Sequence, residues 1–250
     1  MTAYTDPYEK FAKSYDLFGD ITDIDQNEEA FYRQLFSQHK VVTVLDCACG
    51  TGKHCYLFTK MGYKVQASDI SEPMLSQARE NLQKLGMDIS LKRCDFRELE
   101  QHFDDTFDAV VCLSTSLPHL HKDKELIRAL TSMRGVLRDG GIVIIDQGTT
   151  HSSIKPDRRF ELIVNNKDVT RMFVKDVEEN MQTIHIIDIY HNDLANCLEH
   201  YSVVYRILLD DDYRRLLKSA GYKNIHIFGG HDMSVYDPDT SQRLIAVGEA

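Results

Sequence analysis

The sequence predicts an α/β fold: a parallel sheet with helices on both faces and an antiparallel β insertion after the fifth strand. Three observations carry this. Strand-like and helix-like segments alternate from residue 41 to residue 146. The first strand-like run ends on Asp46 and is followed by a tight loop with Gly50 and Gly52. Between residues 159 and 209, four strand-like runs follow one another with only turn residues between them.

In chain order, residues 8–19 and 26–39 read as helical, broken by the acidic stretch Gly19-Asp20-Ile21-Thr22-Asp23. The first strand is 41–46, and its helix starts near Lys53. The second strand is 64–69 and ends on Asp69. Ser71-Glu72-Pro73 supplies a cap residue, an acid and an early proline, so a helix opens there. That helix runs to Leu85 and stops at Gly86. A third strand, 88–93, delivers Cys94-Asp95, and a fourth runs from Phe107 to Leu113. A helix over 122–137 ends in Arg138-Asp139-Gly140-Gly141, and the fifth strand is 142–146. The inserted strands are 159–165, 169–177, 181–191 and 197–209, separated by Asn165-Asn166-Lys167-Asp168, Glu179-Asn180 and Asn192-Asp193. A helix over 211–220 and strands at 224–228 and 243–248 complete a Rossmann-like sheet. One domain spans 1–250: a helical lid (1–39), a ligand-binding core (40–150), an antiparallel cover (151–209) and the completion of the core sheet (210–250).

A chain of 250 residues is long enough for one full core. Its net charge of −10 argues against a nucleic-acid partner, which demands a basic surface. No apolar run approaches a membrane span. Met1-Thr2-Ala3-Tyr4-Thr5-Asp6 lacks the basic and apolar regions of a leader. A cytoplasmic protein that meets neither membrane nor nucleic acid is expected. The six cysteines include no CxxC pair, so buried thiols are expected rather than a metal site.

In open α/β sheets, ligands bind beyond the carboxyl ends of the strands, where the strand order reverses. Asp46 with its glycine loop, Asp69, Asp95 and Ser114 all fall at strand ends and are expected to converge there. Asp69 stands where nucleotide-binding folds place an acid for the ribose hydroxyls. Gly50-Thr51-Gly52-Lys53-His54-Cys55 lacks the third glycine of the dinucleotide fingerprint. Asp46-x-Ala48-x-Gly50-x-Gly52 instead resembles the first motif of class I S-adenosylmethionine-dependent methyltransferases, whose cofactor has no phosphate. On that resemblance the loop residues Asp46, Ala48, Gly50, Thr51 and Gly52 belong to the cofactor site. Asp69 takes the ribose, Asp95 the adenine amino group and the Phe96 backbone the ring, with Ile70 and Met74 on the adenine faces.

The likeness sharpens after the fourth strand. Phe107-Asp108-Ala109-Val110-Val111-Cys112-Leu113, with His119-Leu120 beyond it, resembles the glycine/sarcosine N-methyltransferases. So do Gly140-Gly141-Ile142-Val143-Ile144-Ile145-Asp146 and Val164-Asn165-Asn166-Lys167. Sugar-amine N,N-dimethyltransferases are similar in length, first motif and insertion. The resemblance implies that the Leu113 carbonyl takes the cofactor's ammonium. Ser114 belongs to the cofactor site, Thr115, Ser116 and His119 would line the cofactor's reacting end, and Tyr8 and Tyr15 would close over it. His119 and Tyr8 are the candidate catalytic residues, Thr115 and Arg206 the candidate substrate contacts. The glycine enzymes carry an arginine two residues after the strand-five acid; here Asp146-Gln147-Gly148 lacks it. That removes a bidentate carboxylate clamp, with Arg158, Arg171 and Arg206 as candidate replacements. The expected activity is methyl transfer from S-adenosylmethionine, leaving S-adenosylhomocysteine, to a small-molecule acceptor, an amine first. An O-methyltransferase and a non-catalytic cofactor-binding partner are the alternatives.

Overall fold

The crossing of β1 (Thr43–Asp46) between β2 (Lys64–Asp69) and β4 (Phe107–Cys112) sets the architecture. β3 (Ser90–Arg93) extends the sheet beyond β2, and β5 (Leu137–Gln147) extends it beyond β4. Two later strands, β10 (Lys223–Phe228) and β11 (Leu244–Glu249), complete the order β10-β11-β5-β4-β1-β2-β3. β11 runs antiparallel to both of its neighbours. The order reverses between β1 and β4, which opens a crevice above the strand ends there. This computed structural model describes residues 6, 8–192 and 197–250, so the leader reading of residues 1–5 and the turn residue Asp193 lie outside it.

Helices cover both faces, as apolar parallel strands require. α2 (Gln26–Gln38) and α3 (Lys53–Lys60) pack Phe31, Phe36, Leu57 and Phe58 on one face. α5 (Asp123–Gly135) and α6 (Asp210–Ser219) pack Leu126, Leu130, Leu216 and Leu217 on the other. Each such side chain contributes about 1.5–3 kcal/mol on burial. α4 (Glu72–Lys84) opens as its sequence dictates: Ser71 Oγ accepts from Met74 N, with proline in the first turn.

The insertion is a separate antiparallel sheet, β6 (Phe160–Asn165), β7 (Val169–Glu178), β8 (Met181–Tyr190) and β9 (Leu198–Arg206). Its inner face meets the N-terminal segment, where Phe11 packs with Ile186 and Val203. Beneath lies a buried ion pair, with Arg171 donating to Asp188 at 2.7 and 2.6 Å. Arg171 also donates to the Ser14 carbonyl at 2.8 Å, and its guanidinium lies 4.4 Å from the Phe18 ring and 5.0 Å from Phe11. This cation ties the N-terminal segment to the cover.

Three local readings are corrected. Residues 8–19 form only the short α1 (Ala12–Tyr15) and a 3-10 turn to Phe18. Tyr8, Phe11, Tyr15 and Phe18 recur at helical spacing, but they are held by stacking on one another and on Phe173 and Tyr201. The fifth strand starts at Leu137, ahead of the glycines, because Leu137 pairs with Phe107 and Arg138 bonds Asp108 across the edge. The first strand starts at Thr43 because Val42 N and Thr43 N donate to the Asp108 carboxylate instead of to a neighbouring strand.

Candidate active site

The strand ends and the cover enclose a cavity of about 820 Å³, ample for a nucleoside with an amino-acid tail. Gly50 and Asp69 shape one end. The Gly50 backbone has φ +53°, and its N–H donates to Asp69 Oδ2 at 2.9 Å. Ser71 N donates to Asp69 Oδ1, also at 2.9 Å. One carboxylate thus fastens the loop after β1 to the end of β2. Burial raises its pKa to about 6 despite these bonds. Ala48, Thr51, Ile70, Met74, Asp95 and Phe96 line the same end.

Not every loop residue faces the cavity. Asp46 is 1% exposed and lies beneath the loop, accepting from Ala48 N at 3.3 Å; burial lifts its pKa to about 6. Gly52, with φ +96°, caps α3 without lining the cavity. A side chain there would meet Leu82 at 3.4 Å, so its smallness lets α3 pack on α4. Asp95 lines the cavity, but both its oxygens are engaged by Arg97, which also bonds Glu125. Burial works against the Asp95 charge, and the Arg97 hydrogen bonds override it, holding its pKa low.

Beyond β4 the chain enters a turn where Ser114 and Thr115 both have positive φ, +55° and +66°. Thr115 N donates to the Asp146 carbonyl, which holds the strained turn against β5. Ser114, Thr115 and Ser116 line the cavity; Leu113 is buried behind them, its carbonyl accepting from Ser116 Oγ at 2.8 Å. His119 follows in a 3-10 turn, its Nε2 sharing a 2.9 Å hydrogen bond with the Tyr8 hydroxyl. The ring of Tyr205, from β9, lies 4.8 Å from the His119 ring. Burial pushes the His119 pKa down to about 4, so the imidazole is neutral near pH 7. Tyr15 lines the cavity beside Tyr8.

The three arginines considered as carboxylate clamps are elsewhere. Arg206 does not line the cavity; it pairs with Asp123 at 2.6 Å. Arg171 is buried against Asp188. Arg158 sits in an exposed turn outside the cavity. The substrate-contact reading of Arg206 is therefore corrected: its neighbour Tyr205 is the cover residue against His119. Buried Cys47 and Cys49 line the cavity, and among the described residues no group of three His, Cys, Asp or Glu side chains is placed to hold a metal ion.

Sequence reasoning missed Lys53, His54, Phe18 and Arg243, which all line the cavity. His54 Nε2 and Glu28 Oε1 are 2.9 Å apart. Burial opposes both charges, and their hydrogen bond overrides it, lowering Glu28 to about 2 and raising His54. Lys53 and His54 follow the glycine loop directly and were open to notice. Arg243 lies far along the chain and carries no local signal.

Comparison with known proteins agrees with this arrangement. Residues 44–141 match the family described as methyltransferase domain. The glycine/sarcosine N-methyltransferase of Parasynechococcus marenigrum is 27% identical over 245 residues, covering 92% of this chain and 80% of that protein. Its counterpart in Aphanothece halophytica is 27% identical over 221 residues, covering 85% and 79%. Among solved structures, DesVI of Streptomyces venezuelae is 25% identical, covers 98% of both chains and has a TM-score of 0.71. The CcbJ methyltransferase of Streptomyces caelestis, 18% identical over 98% of both chains, has a TM-score of 0.80 and shares the fold. Strand order, crevice and matches together define a class I S-adenosylmethionine-dependent methyltransferase. The cofactor of that class fits the cavity: Gly50 lines it with no side chain, the place of a Cβ lying 3.4 Å from Met74 Cε, and Asp69 lines it with lone pairs to spare. No helix among the described residues is long and apolar enough to cross a membrane.

Proposed function

We propose that this protein N-methylates a small-molecule amine. The observation that carries the reading is His119: half-buried in the cavity wall, bonded to Tyr8 at 2.9 Å and packed on the Tyr205 ring, with burial holding its pKa low. The N-methyltransferase names of its relatives support the same reading. Bound S-adenosylmethionine supplies a methyl group already activated by its sulfonium. The chain must therefore hold the nucleophile in line and exclude water, which is where most of the rate gain lies.

Asp69 holds the ribose, Ile70 and Met74 flank the adenine, and the Phe96 backbone meets its edge. Arg97 occupies both Asp95 oxygens, so any adenine contact of Asp95 uses a remaining lone pair. The Leu113 carbonyl has one lone pair beyond its Ser116 bond for the cofactor's ammonium. Thr115 and Ser116 border the acceptor. The N-terminal segment, with Tyr8 and Tyr15, acts as the lid, and the inserted sheet as the wall opposite. An imidazole with pKa of about 4 is too weak a base to strip an ammonium. With Nε2–H donating to the Tyr8 hydroxyl, which fixes the ring, His119 Nδ1 instead accepts a hydrogen bond from an amine that arrives neutral. The test is labelled S-adenosylmethionine offered with matched primary amines, N-methylamines and alcohols. Label is expected in the amines. Label confined to alcohols overturns N-methylation, and no transfer despite tight S-adenosylhomocysteine binding overturns catalysis.

A further inference from the structure

Arg243 sits just before β11, in a register where Leu244 pairs with Gln147 and Ile245 with Asp146. One step further, the register brings Arg243 opposite Gly148, the position where the glycine enzymes carry their arginine. A side chain on Gly148 would meet nothing within 4 Å, so the space there is open. Arg243 enters the same region from the neighbouring strand. Its Nε donates to Asp146 Oδ1 at 2.8 Å, and Nη2 donates to Oδ2. Asp146 is buried and cannot move far, so the guanidinium plane is fixed. Nη1 makes no hydrogen bond to the described residues, and the side chain, 35% exposed, lines the cavity.

The other basic groups there are differently placed. Arg97 is spent on Asp95 and Glu125, and His54 on Glu28. Lys53 is a point charge on a flexible stem. Among the described arginines and lysines that line the cavity, Arg243 is the one that presents a fixed donor edge from the β11 side of the switch point. Asp69 marks the opposite side at β2, three strand spacings or about 14 Å away. Arg243 and Asp69 line the same cavity, so a ligand held by its ribose at Asp69 and extended across β1 and β4 would bring its tail to Arg243.

We infer that Arg243 Nη1 forms a carboxylate site in the cavity floor and that the carboxylate it takes is that of the cofactor's amino-acid tail. The inference rests on the methyltransferase reading above. Asp146 acts as the positioning residue that orients the guanidinium. The arginine missing from position 148 is then not replaced as an acceptor clamp; the cation that the register sets opposite that position serves the cofactor, and the acceptor needs no carboxylate.

The test is calorimetric binding of S-adenosylhomocysteine and of 5′-methylthioadenosine, which shares the nucleoside and lacks the amino-acid tail. Arg243→Gln is expected to weaken S-adenosylhomocysteine about tenfold or more, since one charged hydrogen bond is lost. Methylthioadenosine should stay within about twofold of its wild-type affinity. The ratio of the two ligands is its own control for folding. If Arg243→Gln does not fold because Asp146 is left unpaired, Arg243→Gln with Asp146→Asn is read in the same way. Equal weakening of both ligands, or of neither, overturns the inference. So does unchanged S-adenosylhomocysteine binding with a raised KM only for carboxylate-bearing amines, which would make Arg243 an acceptor residue. A wild-type protein that binds no S-adenosylhomocysteine would instead overturn the methyltransferase reading itself.

Discussion

Replacing Asp69 tests the whole cofactor assignment. Its two oxygens each accept one backbone N–H at 2.9 Å, from Gly50 and Ser71. A carboxylate has about four acceptor sites, which leaves two for the ribose hydroxyls. Hydrogen bonds to a charged group contribute about 1.5–3 kcal/mol each, so losing both costs about 3 kcal/mol at the lower bound. That is about a hundredfold in Kd. Asp69→Ala is therefore expected to weaken S-adenosylhomocysteine by about a hundredfold in calorimetry at pH 7.5. The pH dependence gives a second reading. Burial raises the folded carboxyl to about 6, so below that pH the ligand-free group is neutral and a poorer acceptor. Wild-type affinity should be flat above pH 7 and fall below about 6, by at most tenfold per pH unit. Asp69→Ala should show no such fall. The sign for stability is opposite. A raised folded pKa means the contribution is fully present below the unfolded value of about 3.9 and is lost as pH rises through about 6. A variant within threefold of wild type, or one with the same acid limb, refutes the ribose assignment.

Gly50→Val should abolish cofactor binding measurably by calorimetry while circular dichroism stays native, because a branched side chain is strained at φ +53° and crowds Met74, which lines the cavity; normal affinity would reduce the loop to a turn. His119→Gln should lower turnover more than about tenfold with S-adenosylhomocysteine affinity nearly unchanged, and a proportional loss of both would make His119 a cofactor contact. Burial also holds His119 at about 4, so the unfolded chain binds this proton first and its share of stability is lost as pH falls from about 6.5 to 4; His119→Gln should flatten that slope in denaturant titrations. Arg171→Met should destabilise by about 3–5 kcal/mol, because Asp188 is left buried and unpaired. Arg171→Met with Asp188→Leu should recover most of that loss in the same unfolding assay, and failure to recover would place the stability in the Ser14 and Phe18 contacts instead.

Local sequence determined the sheet, the crevice and one end of the site. Asp46, Gly50 and Asp69 are separated by few residues and lie at strand ends, so periodicity and turn chemistry sufficed to bring them together. Ser71 with Pro73 announced a helix start that the structure contains. The limits of strands β1 and β5 were not legible, because Asp108, on a neighbouring strand, takes the N–H groups of Val42 and Thr43 and the guanidinium of Arg138. Nor was the short N-terminal helix: aromatic spacing of three to four residues reads as helical whether the rings stack on a helix face or on another sheet.

The remaining features were decided only by tertiary structure. Arg171 and Arg206 look free in the sequence, yet each finds a carboxylate, Asp188 and Asp123, across the fold. Arg243, unremarked in the sequence, reaches the cavity because β11 pairs antiparallel with β5. His119 was legible as a candidate, but its neutrality depends on burial beneath Tyr8 and Tyr205, which come from opposite ends of the chain. Motifs report groups held by neighbouring backbone; charge pairing and desolvation depend on what the folded chain brings close, and sequence separation carries no information about that.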